Sequence, residues 1–399
     1  MVSIFNHQAY RVVQSPPGWR LSWTWKGKEV IWAMTGAEAT HQGDCSRIKS
    51  QPLPHSCAHR PVIIDLLPGA PYNMQTSNCC KAGVLTTFNQ DPTMSVASFH
   101  LAVGNAVIGD DSGDDGGAFV DMPDDYMLGL PGYSCGGAGK VGSTKFPQKD
   151  GRRWTQALLT YTIKCTYSQY RASLTPVCCV SLSSFYNDTI VPCPLCSCAC
   201  ESDPSISKRC LGSDEQPSYL RMPNEEDRMK SPIVKCTSHM CPIKVHWHLK
   251  QSYRGYWRVK ITIMNFNVFR NYSDWTLVVQ HPDLTNITKL FSFKSAALAA
   301  YRGNGDTVMF WGVRYYNDML LQYGENGNVQ TEMVLPKGED FTFRGGYGFP
   351  RSIMFNGDEC VMPPPDEYPQ LPRHSSASSL IALYQLFSGV VLYGLVCIV

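Results

Sequence analysis

The chain has 399 residues, which is too long for one ordinary hydrophobic core and predicts two domains. Its formal charge is only +2, from 35 basic and 33 acidic residues, so no strong positive field supports nucleic-acid binding. The 20 Tyr, 16 Phe and 9 Trp residues, with 27 Pro and 32 Gly, are typical of short strands joined by turns. The composition therefore predicts a mostly β protein that favours neutral partners.

The first predicted strand lies in VSIFNHQAYRVVQSPPGWRLSW, which is similar to the later segment VKITIMNFNVFRNYSDWTLVV from Val259. Alternating strand patterns precede the later copy, whereas the first copy has nothing in front of it and no secretory leader. We therefore expect two β-sandwich-like modules, the first truncated at its start, and a true N-terminus that lies upstream. Ile4, Asn6, Tyr10 and Arg11 match Ile263, Asn265, Phe269 and Arg270, and after a shift of three residues Trp19 and Leu21 match Trp275 and Leu277. A second pair of segments, from Gly83 and Gly312, predicts strands starting at Val96 and Val329.

Four tryptophans follow the opening strand, and flat aromatic rings can stack on the apolar faces of glucan sugars. Strand alternation places Trp23 and Trp25 on one face with Leu21, so a core position and a binding position both remain open for them. Trp19 is the better candidate for exposure because it follows a Pro-Pro-Gly turn. The candidates for stacking on a β-glucan chain are Trp19, Trp23, Trp25 and Trp32.

No catalytic residue stands out in the sequence. The chain has no G-x-S-x-G, H-E-x-x-H or Walker motif. Glycoside hydrolysis needs two carboxylates across a sugar bond, and nothing singles out a pair such as Glu29 and Asp65. The acidic stretch from Asp110 lacks the final glutamate of a calcium loop at Met122, so we interpret it as a solvated loop. We predict no enzyme activity, no metal and no cofactor.

The stretch CCVSLSSFYNDTIVPCPLCSCACE, residues 178–201, holds six of the 17 cysteines. Its spacing suits either a zinc site or a set of disulfides, and an oxidising compartment favours disulfides. In the adjacent pairs Cys79-Cys80 and Cys178-Cys179, we expect each cysteine to bond a different distant partner. The predicted disulfide hub consists of Cys178, Cys179, Cys193, Cys196, Cys198 and Cys200.

A polar linker follows the cysteines, and the next predicted strand carries two histidines on one face. His246 and His248 flank Trp247, so a period of two residues places both imidazoles together. A metal site is one interpretation; surface histidines are favoured because no acidic ligand accompanies them. The predicted division of the chain is 1–150 for a carbohydrate-binding-like module, 151–231 for the cysteine-rich segment and linker, 232–370 for the second module and 371–399 for the tail.

The sequons and the tail indicate the secretory pathway. Asn187, Asn271 and Asn286 each begin an N-x-S/T triplet for N-glycosylation. LIALYQLFSGVVLYGLVCIV at the C-terminus is uncharged and long enough to span a bilayer. Small residues upstream and the missing basic flank favour a GPI-attachment signal over a single span, with Ser375 and Ser376 as attachment candidates.

The stretches CCVSLSSFYNDTIVPCPLCSC, PGWRLSWTW, DLLPGAPYN, RRWTQALLTYTIKCTYSQY, HMCPIKVHWH and FNGDECVMPPP resemble the plant COBRA-like proteins, and the resemblance runs from Val2 to about Pro372. It implies an N-glycosylated, GPI-anchored protein on the extracellular face of the plasma membrane. It also implies a non-catalytic role, with an N-terminal region that engages cellulose and helps to deposit or orient microfibrils.

Three features depart from the family pattern: the missing leader and first strands, a single cysteine in His55-Ser56-Cys57 where two adjacent ones are common, and the acidic loop from Asp110. The first departure leaves open whether this chain binds cellulose. Two alternatives to a cellulose-binding organiser also remain: a surface adhesion or receptor-associated glycoprotein with a protein partner, and a glycan-active enzyme.

Overall fold

The computed structural model describes residues 1–14, 17–46, 48, 51–105, 121–148, 152–172, 176–185, 187–194, 210–211, 234–235, 241–253, 255–267, 270–298, 306–337 and 348–371. The side chains of residues 187, 210–211, 234–235, 285 and 286 lie outside this description. Strands dominate and every helical segment is short, so the predicted all-β class is confirmed.

The strands of the N-terminal part are β1 Val2–Phe5, β2 Arg20–Thr24, β3 Glu29–Thr35, β4 Ala37–Ala39, β5 Val62–Asp65, β6 Val96–Asn105, β7 Asp124–Met127, β8 Tyr133–Cys135, β9 Gly139–Val141, β10 Lys145–Pro147, β11 Trp154–Gln156, β12 Thr160–Thr162 and β13 Cys165–Tyr167. Those of the C-terminal part are β14 Cys178–Ser184, β15 Asn187–Val191, β16 Cys210–Leu211, β17 Val234–Lys235, β18 Ile243–Ser252, β19 Tyr256–Asn265, β20 Leu277–Gln280, β21 Lys289–Leu290, β22 Phe293–Ala297, β23 Thr307–Gly312, β24 Asn328–Pro336, β25 Ser352–Phe355 and β26 Asp358–Glu359.

The helical segments of the described chain are one α-helical turn and several 3-10 turns. The α-helical turn is α1 Gln169–Ala172. The 3-10 turns are Tyr72–Met74, Pro282–Asn286, Arg314–Asn317, Met319–Leu321, Gly324–Asn326 and Pro365–Glu367.

The first module packs a three-stranded sheet, ordered β1-β6-β3, against a four-stranded sheet, ordered β4-β5-β2-β7. Both sheets contribute to one core, since Trp23 and Ile63 of the four-stranded sheet cluster with Ile31 and Phe99 of the other. Alternate residues of a strand point to opposite faces, which lets each short strand bury one face here. The module is therefore a small sandwich.

The second module is a larger sandwich, with a six-stranded sheet ordered β15-β14-β18-β19-β24-β21 and a five-stranded sheet ordered β22-β23-β20-β25-β26. Its core includes Trp247 and Ile261 from the larger sheet, and Leu277, Phe310 and Ile353 from the smaller one. The strand β14, from the cysteine-rich segment, pairs in parallel with β18. That segment thus supplies structure to the second sandwich.

A buried asparagine occupies the same corner in both modules, at Asn6 and at Asn265. Its Nδ2 donates to the carbonyl oxygen five residues on, at 2.8 and 3.1 Å, and its Oδ1 accepts from the backbone nitrogen two residues on, at 3.1 and 2.8 Å. The backbone pairs that close each corner also match: Val13 N to Leu85 O, and Tyr272 N to Leu320 O. These bonds confirm the internal repeat predicted from the sequence.

The second pair of repeat segments also agrees with the structure. Strand β6 starts at Val96, as predicted, and strand β24 starts at Asn328, one residue before the predicted Val329.

Within the described residues, no helix is long and apolar enough to cross a membrane. The predicted tail, with Ser375 and Ser376, lies outside those residues.

Candidate functional site

Three of the four tryptophans predicted to bind cellulose are core residues. Trp19, Trp23 and Trp25 are only 1%, 3% and 4% exposed. Trp19 stacks on Phe99 with ring centroids 5.9 Å apart, and Trp23 meets Trp25 edge to face at 5.4 Å. Rings buried in this way present no face to a sugar. The prediction that Trp19 is exposed is therefore wrong, and of the two alternatives open for Trp23 and Trp25 the core position is correct.

The burial of Trp19 follows from a close backbone contact behind it. Gly18 and Gly83 both have positive φ, and a Cβ on Gly18 would lie 2.5 Å from the carbonyl oxygen of Ala82. The two glycines allow two segments of the chain to come into contact, so the turn before Trp19 directs the indole into the sandwich. A proline-glycine turn indicated the bend correctly but not its direction.

Trp32 is half-buried and differs from the other three. Ile31 and Ala33 face consecutive residues of β6, which makes Trp32 the extra residue of a β-bulge. Its indole lies against Gly104, where an added Cβ would be 3.0 Å from Nε1. One edge of the indole ring is thus packed against the sheet, and Trp32 stays a candidate for cellulose binding.

The most exposed tryptophan of the first module lies elsewhere, at Trp154, which is 67% exposed. It belongs to a long two-stranded ribbon, residues 133–148 and 152–167, in which β8, β9 and β10 pair in turn with β13, β12 and β11. The disulfide Cys135–Cys165 joins the two strands at the base of this ribbon. Val141, Leu158 and Leu159 are also exposed on it.

Sequence reasoning missed the ribbon, although the signal was present. An Asp150-Gly151 dipeptide is a hairpin-turn signal, and Cys135 and Cys165 are equally distant from Asp150. The predicted domain boundary at residue 150 fell on this dipeptide, which lies outside the described residues. Another aromatic, Tyr72, is 91% exposed in the 3-10 turn Tyr72–Met74.

The base of the ribbon is fixed to the second module by Arg11. The guanidinium carbon lies 3.6 Å from the ring centre of Tyr167, and Nη1 forms a 2.8 Å ion pair with Asp358. The Tyr167 hydroxyl donates to the same carboxylate at 3.3 Å. Burial, and after it the negative charge of Asp358, raises the pKa of Tyr167 to about 12. The phenol therefore stays protonated and donates its hydrogen bond.

Further hydrogen bonds join the same two modules. Gln14 Nε2 donates to the carbonyl oxygen of Ser273 at 2.7 Å, and the Thr276 hydroxyl donates to that of Tyr10 at 2.6 Å. Tyr10 also packs on an apolar cluster of the five-stranded sheet that includes Met309. The ribbon therefore rises from a junction that both sandwiches share.

The disulfide prediction is correct for one adjacent pair and wrong for the other. Cys178 bonds Cys360 and Cys179 bonds Cys193, so neighbouring cysteines of β14 have different partners. They lie on an extended strand, where successive side chains point to opposite faces. Cys241 is disulfide-bonded as well. The predicted hub members Cys196, Cys198 and Cys200 lie outside the described residues.

Cys79 and Cys80 bond each other rather than distant partners. Positive φ at Cys80 places them in a tight turn instead of a strand. Asp65 is buried beneath this turn and accepts hydrogen bonds from the backbone nitrogens of Cys80, Lys81 and Gly83, at 2.9 to 3.1 Å. This carboxylate therefore organises the loop.

The remaining predicted modification sites are one further disulfide and the glycosylation sequons. Cys57 bonds Cys45, so the single cysteine that departs from the family pattern is paired. Asn271 is exposed and accessible to glycosylation, while the side chains of Asn187 and Asn286 are not described. The acidic loop from Asp110 also lies outside the described residues.

The two predicted strand histidines share one face of the six-stranded sheet, as expected. His246 Nδ1 lies 2.6 Å from Ser181 Oγ and its Nε2 lies 2.9 Å from Ser183 Oγ, which in turn lies 2.7 Å from Nδ1 of His248. Burial, then the charge of Lys244, lowers the pKa of His246 to about 4. The described residues contain no group of three or more His, Cys, Asp or Glu that could hold a metal.

These features define a class of protein: a disulfide-bonded all-β chain made of two related sandwiches, with an exposed tryptophan on a ribbon that is fixed at its base. A sequence model of the COBRA N-terminal domain matches residues 1–168, and one of the COBRA family C-terminal domain matches residues 177–369. The chain belongs to the COBRA family.

Relatives at about half identity support this assignment. The chain is 52% identical to COBRA-like protein 6 of Arabidopsis thaliana, over 94% of this chain and 81% of that protein. COBRA-like protein 3 of Oryza sativa subsp. japonica is also 52% identical, with the same coverage, and Protein COBRA of Arabidopsis thaliana is 51% identical over 95% of this chain and 82% of that protein. Family membership makes this a cell-wall-related glycoprotein and fits a secreted or extracellular location.

A search of solved structures found a GH20 exo-β-N-acetylglucosaminidase from Vibrio harveyi at a TM-score of 0.24 and 10% identity, covering 34% of this chain and 19% of that one. A likeness this weak carries no argument about fold or activity.

Proposed function

We propose that this protein is a non-catalytic cell-surface glycoprotein that binds cellulose and helps to deposit or orient microfibrils during cell-wall biogenesis and directional growth. The observation that carries the proposal is the exposed indole of Trp154 on a ribbon fixed at its base. Family membership supplies the cell-wall setting.

Stacking needs an open aromatic face held in one orientation. The ring of Trp154 is open to solvent. Pairing of β11 with β10 holds this residue in one orientation, because Trp154 lies opposite Pro147 in register. Amphipathic aromatic rings lose little conformational entropy when they bind, since only two side-chain torsions are fixed. Tyr72 offers a second exposed ring on the same module.

The proposed role also needs a membrane tether. The apolar tail and the small residues at Ser375 and Ser376 support a GPI anchor on the extracellular face of the plasma membrane. A protein held by lipid at one end and by glucan at the other raises the local concentration of each contact for the other. Such a tether aligns microfibrils without a catalytic step.

The test is a pull-down on crystalline cellulose with the full chain, secreted behind an added leader, and the Trp154→Ala variant. A stacked aromatic is worth about 1.4 kcal/mol, so we expect roughly tenfold weaker binding of the variant. Tyr323→Ala is the matched control, since it removes an exposed ring from the second module.

Three results would overturn the proposal. Equal binding of Trp154→Ala and wild type would show that this indole is not the contact. Absence of binding by every form would transfer the assignment to a protein partner. Release of reducing ends from soluble glucan would indicate a glycan-active enzyme instead.

A further inference from the structure

The six-stranded sheet of the second module turns one face to the core and the other outward. On β18 the inward side chains, such as Trp247, are fully buried, whereas the outward ones are only partly buried. We call the polar outward side chains in the middle of β18, β19 and β24 the cationic face; Met264 and Val334 point to the same side of the sheet. Its members are Lys244, His246, His248, Lys250, Arg258, Lys260, Thr262, Gln330 and Glu332.

Positive charge exceeds negative charge on the cationic face. Glu332 is its single carboxylate, and it pairs with both Lys250, at 2.5 Å, and Arg258, at 2.7 Å. Lys260 lies opposite Glu332 in register, yet neither Lys260 nor Lys244 has a carboxylate within 4.0 Å among the described residues. Four cations against one carboxylate leave two lysines available to an anion.

The spacing of these two lysines matches an extended ligand. Lys260 lies opposite His248, which is four residues along β18 from Lys244. A strand advances about 3.3 Å per residue, so the two backbone positions are separated by about 13 Å along the sheet. A polymer that carries anionic groups on several of its units can place one group at each lysine.

Neutral hydrogen-bonding groups fill the space between the lysines. The serine-bonded imidazoles have lowered pKa values, His246 because of burial and the charge of Lys244, and His248 because of burial and the charge of Lys250. His248 uses Nδ1 with Ser183, and among the described residues no partner is recorded for its Nε2. Thr262 and Gln330 add further donors and acceptors. Sugar hydroxyls suit such a surface.

We propose that the cationic face binds an acidic polysaccharide, with Lys244 and Lys260 pairing with uronate carboxylates of one chain. The wall setting favours this polyanion over others, and the row of polar side chains along the strands suits an extended polymer. The site lies on the second module and is independent of the ribbon. The protein would then join a neutral glucan to an acidic one.

The probe is polygalacturonate, measured by calorimetric titration at low salt with the full chain. We expect the double variant Lys244→Gln/Lys260→Gln to bind at least tenfold more weakly than wild type. Binding of wild type should weaken as salt rises, because exposed charges are screened. Fully methyl-esterified galacturonan, which has no carboxylate, should bind neither protein.

The matched control is Lys140→Gln/Lys145→Gln, which removes the same charge from two exposed ribbon lysines. It should keep wild-type affinity for polygalacturonate, and thermal melts should show both double variants folded. Equal weakening by both variants would overturn the proposal, since net charge alone would then explain binding. Unchanged affinity of Lys244→Gln/Lys260→Gln, or wild-type binding to an acidic protein but not to polygalacturonate, would overturn it as well.

The two proposals fail separately. The lysine variant should keep its binding to crystalline cellulose, and Trp154→Ala should keep its affinity for polygalacturonate. Loss of only one activity in a variant therefore assigns that activity to one surface.

Discussion

At the residue scale, one buried asparagine closes the corner of each sandwich. Asn6 and Asn265 satisfy backbone groups that have no strand partner where the chain turns, and their hydrogen bonds match atom for atom. Leaving such buried groups unpaired costs about 1–3 kcal/mol each. The shared corner therefore explains why two otherwise divergent segments keep the same residue.

His246 gives the second module a predicted sensitivity to acid. Its pKa is about 4 in the folded protein, lowered by burial and by Lys244, His248 and Lys260, against 6.5 for the ordinary group. Between these values the unfolded chain binds more protons, so stability falls as pH drops from 6.5 to 4. We expect a loss of about 1–3 kcal/mol, discounted for partial exposure.

Thermal melts from pH 7 to pH 4 measure this loss. His246→Gln should flatten the profile, because Gln keeps hydrogen-bonding capacity with Ser181 and Ser183 but does not titrate. His59→Gln, at an exposed site, should follow wild type. A profile that is the same in wild type and in His246→Gln would contradict the account.

The tryptophans show what sequence can and cannot predict at this scale. Leu21 shares a face with Trp23 and Trp25, so alternation alone kept the core position open. The direction of Trp19 depends on Gly18 meeting Gly83, a contact between distant parts of the chain. No local pattern contains that contact.

At the element scale, the ribbon is stabilised by what surrounds it. A two-stranded ribbon is marginal in water on its own. Here Cys135–Cys165 joins its strands, and Tyr133 packs edge to face on Tyr167 at 5.3 Å. The sequence contained the turn and the paired cysteines, but only the fold shows that the base is held by Arg11.

The cationic face shows the limit of net charge as an indicator. A total of +2 favours neutral partners for the chain as a whole. Strand pairing nevertheless gathers four cations on one face, because β18 and β19 are adjacent and antiparallel. The electrostatic field at one face can thus be stronger than the net charge of the chain indicates. Such a face can also favour a different class of ligand from the one that the net charge indicates.

At the scale of the whole molecule, the two sandwiches are joined through Arg11. Its side chain is 11% exposed and pairs with Asp358, 347 residues away in sequence. Arg11→Ala leaves that carboxylate without its cation, and we expect a cost of about 2 kcal/mol. Scanning calorimetry should then show a lower melting temperature, because the junction loses this ion pair while the hydrogen bonds of Gln14 and Thr276 remain.

Lys26→Ala is the control for this change. Lys26 pairs with Asp124 at 3.4 Å, but both side chains are exposed, and such pairs contribute about 0–1 kcal/mol. Its calorimetric trace should match wild type. If Arg11→Ala also gave an unchanged trace, the ion pair of Arg11 with Asp358 would not stabilise the junction.

Sequence patterns were sufficient for the all-β class and the internal repeat, since both rest on local alternation and similarity. Sequence patterns could not predict how the modules are arranged, because that arrangement depends on single contacts between residues far apart in the chain. The exposure of Trp19 was mispredicted for the same reason, because the exposure of a tryptophan is a property of the fold.

The central claim, that Trp154 contacts cellulose, is tested most directly by oxidative footprinting of the full chain with and without crystalline cellulose. Mass spectrometry reports modification at each of the nine tryptophans. The account predicts that oxidation of Trp154 falls several-fold on cellulose, while the buried Trp19, Trp23 and Trp25 stay unmodified in both states. Bound protein in which Trp154 is oxidised as fast as in solution would contradict it.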